Sequence, residues 1–264
     1  SRDDLLGRGQ FSNVYKHIVG DNTVIARKEY KPHYTEYGEK EFKILEYMES
    51  CPNIINVMGY INLEYNYSVL LPLYTFNLLE YITDYLKDDE KISFSNIKIV
   101  IISLLSGVSF MNKKGITNTD IKLDNILVNV LQDGTLDVVI SDFSSYIKWE
   151  DEKGVYLSNY NITTLWYRSI LTLARAEKKN MMNIEMWMLA CIIYEVYYKK
   201  PIFEVTYYPR DSLEKQNLKL LIKIIKQFGF PDDEFMTKYL PNDKEELKKR
   251  FGKYRGINPK LKDE

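Results

Sequence analysis

Asp120, Lys122, Asn125 and Asp142 fall within 23 residues of one another, in Thr117-Asn118-Thr119-Asp120-Ile121-Lys122-Leu123-Asp124-Asn125-Ile126-Leu127 and Ser141-Asp142-Phe143. Each brings a different capacity. A carboxylate at Asp120 can accept the proton of an attacking hydroxyl, and an ammonium at Lys122 can neutralise a transferring phosphoryl group. The side-chain oxygens of Asn125 and Asp142 are the hard donors that Mg²⁺ prefers. Base, cation and metal ligands in this order suit phosphoryl transfer, in which catalysis is mostly positioning and charge stabilisation. His17 and His33 are the only histidines. They are too few and too separate for a histidine metal site or a Ser-His-Asp triad, so hydrolysis of that kind is not expected.

These groups need a scaffold, and hydrophobic periodicity outlines one. Alternating or β-branched stretches at 7–17, 22–29, 55–61 and 67–73 predict strands, with a helix over about 37–48 among them. After Leu78 the apolar spacing becomes three and four, which predicts helices over 78–86, 96–113, 183–198 and 211–228. The expected class is α+β, with a β-rich N-terminal part and a mainly α C-terminal part. A short strand pair, 126–130 and 136–140, joined by Leu131-Gln132-Asp133-Gly134-Thr135, sets Asn125 just before the hairpin and Asp142 just after it. Both ligands should then meet at one edge. Pro72 would break a strand, and an extended connector over 72–77 could present backbone groups to a ligand. The expected lobes are therefore about 1–73 and about 78–264, with the hinge at 72–77.

Composition narrows the classes. The 264 residues are 45% hydrophobic, enough for a sizeable core, and Lys+Arg 36 against Asp+Glu 37 leaves a formal charge of −1. No whole-chain basic field points to nucleic acid or to an anionic membrane. The Lys-rich stretches at 243–250 and 253–262 alternate with acidic residues and read as solvated helical faces. Cys51 and Cys191 give neither a disulfide framework nor zinc spacing, and suit a reducing compartment. No leader pattern opens the sequence, and the apolar run 97–110 contains Lys98 and is too short to span a bilayer. Trp166, Tyr167, Tyr194 and Tyr197 have apolar neighbours at helical spacing and read mostly as core rather than as a base-stacking surface.

The loops quoted first resemble those of eukaryotic protein kinases, which read H-R-D-x-K-x-x-N and D-F-G. Gly7-Arg8-Gly9-Gln10-Phe11-Ser12-Asn13-Val14-Tyr15 resembles the family's glycine-rich loop, with Ser12 in place of the third glycine. Val24-Ile25-Ala26-Arg27-Lys28 resembles its V-A-I-K strand, and Glu41 stands where the lysine's helix partner is found. By register Leu71 takes the gatekeeper position and Pro72 to Tyr74 the hinge. The resemblance implies a bilobal fold with ATP against Gly7, Gly9, Val14, Ala26, Lys28, Leu71 and Leu73, with Glu41 placing Lys28. It also implies Mg²⁺ on Asn125 and Asp142, and Asp120 and Lys122 as catalytic groups.

Thr164-Leu165-Trp166-Tyr167-Arg168 resembles the end of the activation segment in the CMGC group, most of all cyclin-dependent kinases. The segments beginning at Glu185, Lys200-Pro201 and Phe228-Gly229 continue that likeness. Phe11-Ser12-Asn13-Val14 and Pro72-Leu73 followed by Asn77-Leu78 are similar instead to splicing-associated and dual-specificity relatives, so the subfamily stays open. The implied partners are protein substrates phosphorylated on Ser or Thr, with Pro favoured next in line by Arg168. Nucleic acid and membrane are not expected as partners, a regulatory subunit is left open, and the expected location is intracellular, cytoplasmic or nuclear.

Departures from the family pattern set the alternatives. Asn118 and Thr119 replace the catalytic-loop His and Arg, Ser144 replaces the metal-loop Gly, and Ser169-Ile170-Leu171 stands where A-P-E is usual. Glu185 replaces an Asp and keeps a carboxylate, expected beneath the catalytic loop. The family's last helices are not found before Glu264, so the second lobe either lacks them here or closes in another way. No reacting group is lost, which favours an enzyme. The rival is a pseudokinase that binds nucleotide or scaffolds, and a small-molecule kinase is disfavoured by the peptide-wall likeness of Trp166-Tyr167-Arg168. Tyr37–Glu41 does not match the cyclin-binding P-S-T-A-I-R-E helix. That mismatch argues against obligate cyclin dependence; the positions that gather a loop phosphate hold Thr119, Lys40 and Ile147, and Asn159 occupies the phosphothreonine place, so activity is expected to be independent of phosphorylation there.

Overall fold

The computed structural model describes residues 5–256, apart from 21, 65, 88–89, 151–162, 174–180, 207, 209, 240–244, 246–247 and 250–251. Contacts divide the chain into two compact units, Ser1–Tyr146 and Ile147–Glu264, and the expected hinge at 72–77 lies inside the first.

The first unit opens with β1 (Leu5–Arg8), β2 (Ser12–Val19), β3 (Thr23–Tyr30), α1 (Thr35–Tyr47), β4 (Gly59–Leu63) and β5 (Asn66–Pro72). The strands form an antiparallel sheet in the order β1-β2-β3-β5-β4. β3 is therefore flanked on both sides, with Lys28 opposite Val14 on β2 and Val69 on β5. Its two-residue period puts Ala26, Lys28 and Tyr30 on one face, and all three are buried. Helix α1 packs on β3 and β5. Gly38 permits the approach, because a Cβ there would lie 2.6 Å from the Tyr30 ring and 2.7 Å from the Tyr67 ring.

The strand expected at 55–61 begins only at Gly59. The residues before it are drawn elsewhere: Ile140 donates to Asn53 O (2.9 Å) and Ile55 donates to Ile140 O (3.0 Å). Ile54 and Ile55 are buried there, so the apolar run serves a junction with a later hairpin rather than the sheet.

The unit continues through β6 (Phe76–Asn77), α2 (Leu78–Glu80), α3 (Phe94–Lys113), β7 (Ile116–Asn118), β8 (Ile126–Val130) and β9 (Leu136–Ile140). Asn77 and Glu80 form a reciprocal capping box at 2.9 Å each way. Beyond α2 the turns widen over Tyr81–Tyr85, where Leu86 N–H reaches back to Tyr81 O, so the predicted 78–86 helix is only partly α. Ser93 caps α3 by accepting from Asn96 N–H at 3.2 Å.

At 20 residues α3 is longer than the apolar run suggested, long and apolar enough to cross a membrane. Val100, Leu104, Val108 and Met111 nevertheless make a buried stripe at helical spacing, and the helix packs on β9. β8 and β9 match the predicted hairpin, in register from Ile126↔Ile140 to Val130↔Leu136. Asp133 closes its turn by accepting from Thr135 N–H and Oγ1, with Gly134 at φ 81°.

β10 (Tyr146–Lys148) follows, and then the helices of the second unit: α4 (Ile170–Leu173), α5 (Met181–Tyr198), α6 (Leu213–Phe228) and α7 (Asp233–Tyr239). Ile184, Met188, Ile192 and Val196 bury the stripe of α5, and Leu220, Leu221, Ile224 and Ile225 that of α6. Trp187 stacks on Phe203 with ring centroids 5.5 Å apart. Tyr167 is buried and donates to Glu195 Oε2 at 2.5 Å, whereas Tyr197, expected in the core, is 47% exposed because it lies on the outer face of α5. The Lys-rich stretches lie mostly outside the described residues, although Lys248 pairs with Asp233 at 2.9 Å. A sheet-rich N-terminal part and a helical C-terminal part make the α+β class that the periodicity predicts.

Candidate active site

The site grows from β3. Lys28 points from the middle of the sheet into the interior, only 6% exposed, and Glu41 on α1 is 0% exposed. Their ion pair is 2.8 Å long, and a second contact of 2.8 Å joins Lys28 Nζ to Asp142 Oδ1. Burial alone would push the Lys28 ammonium down, but Asp142 and Glu41 outweigh it and hold it well above the ordinary lysine value. Burial would raise the Asp142 carboxyl, yet Lys28 and the donors of Ser144 bring it down to about 2. Lysine and aspartate are therefore both ionised at neutral pH. Glu41 also accepts the Phe143 N–H at 2.8 Å and the Tyr30 hydroxyl, so helix α1 is tied to the residue that follows Asp142.

Asp142 sits just past β9 at φ 55°, in the left-handed region, at a cost of roughly 1–2 kcal/mol for a non-glycine residue. The surrounding bonds hold it there. Ser144 donates to Asp142 Oδ1 from both its N–H (3.2 Å) and its hydroxyl (2.6 Å). Asn118 donates to Asp142 O (3.1 Å) and accepts from Asp120 N–H (2.9 Å), so one fully buried amide couples two carboxylate-bearing loops. The amide thus both donates and accepts. Thr119 N–H and Oγ1 donate to Ser145 O at 3.1 and 3.2 Å, and the two hydroxyls lie 2.7 Å apart.

Asp120 Oδ2 accepts from Lys122 Nζ at 2.8 Å and from Asn125 Nδ2 at 3.1 Å, and Asn125 Nδ2 also donates to Asp120 O at 2.8 Å. Both donor contacts of Asn125 face Asp120, which leaves Oδ1 as the atom to offer a cation. The residues fit Mg²⁺. One carboxylate and one amide oxygen are hard donors, and Mg²⁺ is commonly held by one or two protein oxygens together with phosphates and water. Lys28, Glu41 and Asp142 also sum to one negative charge. Among the described residues no cluster of three or more His, Cys, Asp or Glu offers an alternative cation cage.

A cavity of about 350 Å³ opens beside these groups, within the first unit. Gly7, Val14, Ala26, Lys28, Leu71, Leu73, Asn125 and Asp142, all among the candidate site residues, line it. Glu41 stands behind Lys28 and does not line it, and neither do Asp120 and Lys122. Gly9 also lies off the wall: its N–H donates to Ser12 O (2.8 Å), and its carbonyl accepts from Lys31 Nζ (2.9 Å). The wall further includes Leu6, Ile55, Phe76, Asp124 and Leu127, which the sequence reading did not single out. Leu6 and Leu127 could have been found by alternation on β1 and β8; Ile55 carries no local signal, because only its long-range bond to Ile140 brings it there.

Arg168, in the second unit, is buried and donates from Nε to Thr163 O at 2.8 Å and from Nη1 to Asn217 Oδ1 at 2.7 Å. Desolvation pulls its guanidinium down to about 10, which leaves it cationic at neutral pH.

Residues 1–251 match the protein kinase domain. Cyclin-dependent kinase 7 of Carassius auratus is 30% identical over 241 residues, covering 88% of this chain and 64% of that protein. Cyclin-dependent kinase 7 of Xenopus laevis is 26% identical over 242 residues, covering 88% and 62%. The Arabidopsis thaliana protein Impaired in BABA-induced sterility 1 is 26% identical over 243 residues, covering 89% and 32%. The chain thus spans 32% to 64% of the length of these relatives.

Asn118→Leu keeps the volume of the buried amide but leaves Asp142 O and Asp120 N–H without their partner. An orphaned buried polar group costs ~1–3 kcal/mol, so with two such groups denaturant unfolding should show a loss of roughly 2–6 kcal/mol. A loss below about 0.5 kcal/mol would mean that this bridge carries no strain-bearing role.

Proposed function

Because the chain belongs to the protein kinase family, we propose that it is an ATP- and Mg²⁺-dependent kinase transferring the γ-phosphoryl group to Ser or Thr of proteins. The observation that carries this reading is the convergence of the charged groups. Lys28 lies 2.8 Å from both Glu41 and Asp142, and Asn125 links by 3.1 Å to the carboxylate of Asp120. Two of the three relatives reported above are named cyclin-dependent kinases, which together with Trp166-Tyr167-Arg168 supports a place in the CMGC group. We place the hinge at 72–77, with Leu71 and Leu73 against the adenine, both on the cavity wall.

In this mechanism Glu41 fixes Lys28, whose ammonium leaves Asp142 to hold the phosphates of the nucleotide. Asn125 and Asp142 would hold Mg²⁺, which when bound neutralises phosphate charge. Asp120 orients the acceptor hydroxyl and takes its proton, a contribution of roughly 10²–10⁴ in rate for a positioned base. Lys122, already paired with Asp120 at 2.8 Å, offsets charge on the transferring group.

A radiolabelled transfer assay on several proteins, with Asp120→Asn as control, tests the reading. Wild type should label substrate in a Mg²⁺-dependent way, and the variant should lose at least about a hundredfold. Lys28→Ala and Asp142→Ala should each abolish the thermal stabilisation given by Mg·ATP. A wild type as inert as the Asp120 variant, but still stabilised by Mg·ATP, would instead make the protein a nucleotide-binding module.

Substrate choice should favour Pro directly after the acceptor. Arg168 occupies the position where related kinases shape a pocket that penalises an unsatisfied backbone N–H, and proline has none. A degenerate peptide array checks this. No enrichment for Pro would sink the idea, and Arg168→Ala should relax any enrichment found.

Activity should not depend on loop phosphorylation. Thr119 bonds Ser145 directly, in place of an Arg that would await a phosphate. Asn159 lies outside the described residues, with Tyr156, Ser158 and Tyr160, whereas Thr163 and Thr164, which a motif search would pick as well as Ser158 and Tyr160, are among the described ones. Phosphatase treatment, or Ala or Phe at Tyr156, Ser158 and Tyr160, should leave kcat/KM within a few fold. A loss of a hundredfold, ~2.7 kcal/mol, would reveal a phosphate site among other residues.

A further inference from the structure

Glu41 has to stay in place while Lys28 is drawn from Asp142 toward a nucleotide, and a single lysine that moves is a poor anchor. The carboxylate has a second hold. Its Oε1 receives Lys28 Nζ and the Phe143 N–H, whereas its Oε2 receives the Tyr30 hydroxyl and, among the described residues, no other donor. Tyr30 is 1% exposed and Glu41 0%, so water does not substitute for this bond.

We propose that Tyr30 is a positioning residue for the transfer reaction, holding α1, and through it Glu41 and Lys28, in the working arrangement. The proposal rests on the kinase reading of the site. Three contacts of one side chain support it. Tyr30 is two residues after Lys28 on the same face of β3, and the Lys28 ammonium lies 5.4 Å from its ring centroid. The ring lies so close to Gly38 that a Cβ would meet it at 2.6 Å, which sets the distance of α1 from the sheet. The hydroxyl then meets Glu41, three residues further along the helix and on the same side.

Packing alone would be served by phenylalanine, so the hydroxyl is the telling atom. Burial and the charge of Glu41 both push its pKa up, which keeps it a donor at every working pH. Removing it strands a buried carboxylate oxygen. The relief available is outward movement of α1 to hydrate Glu41, which frees Lys28 to pair with Asp142 alone and so masks a metal ligand.

Wild type, Tyr30→Phe, Glu41→Gln and the double variant separate this role from simple packing. Mg·ATP affinity by calorimetry should weaken about tenfold in Tyr30→Phe, with unfolding still cooperative and the melting temperature lowered by only a few degrees. In the Glu41→Gln background the same change should alter affinity by less than about twofold, because the group through which Tyr30 acts is gone. Without nucleotide, amide hydrogen exchange over 38–45 should be faster in Tyr30→Phe. Unchanged affinity and exchange in Tyr30→Phe, or equal losses in both backgrounds, would overturn the proposal. Failure of wild type to bind Mg·ATP would count against the kinase reading, whereas the exchange comparison still decides whether Tyr30 holds Glu41.

Discussion

An ammonium held away from water between two carboxylates is the constraint on which the first unit depends. Dehydrating such charges costs several kcal/mol each, and losing one partner of a buried pair costs about 3–5 kcal/mol, so the three groups must be fixed together. Each comes from a different element: Lys28 from the central strand, Glu41 from α1, Asp142 from the end of a hairpin. The protein meets the demand with neutral donors placed around the charges. The Phe143 N–H, the Tyr30 hydroxyl and the Ser144 N–H and hydroxyl all point at carboxylate oxygens. The ion pair itself is weak evidence for stability. Its geometry makes sense as a charge held ready for an anionic ligand.

The loops around it are braced by amide and hydroxyl groups. Asn118 joins Asp120 to Asp142, Thr119 joins the Asp120 loop to Ser145, and Ser144 steadies the Asp142 carboxylate. These groups do not titrate in the physiological range and need no phosphate to become donors. A site supported in this way is assembled by folding, with its strained Asp142 backbone over-determined by local bonds.

Much of the scaffold was legible in the residues because local rules and global fold agree there. The hairpin at 126–130 and 136–140 combines β-branched strands with an Asp-Gly turn, and it forms as read. The sheet strand at 59–63 was misplaced because Ile55 looks like its beginning, yet Ile55 N–H and Asn53 O bond to Ile140 across more than 80 residues. Tyr197 was one of four aromatics read mostly as core, and its exposure was not foreseen, since apolar spacing on a helix that is apolar nearly all round does not say which side faces out. The order of Asp120, Lys122, Asn125 and Asp142 indicated the chemistry; the cavity wall at Ile55 and the bond from Lys31 to the Gly9 carbonyl did not show in any local pattern.

By itself, then, the sequence determined which chemical groups are present, their order, and the strands and helices that carry them, because side-chain type and period are local properties. The tertiary structure decided which of those groups touch. It turned Tyr30 from a strand residue into a partner of Glu41, gave Asn118 its two bonds, and set Ser144 against Asp142. Those contacts depend on register, on the missing Cβ of Gly38, which would meet the Tyr30 ring at 2.6 Å, and on a left-handed turn at Asp142. Each of these is a distance or an angle between elements, and such quantities exist only once the chain has closed on itself.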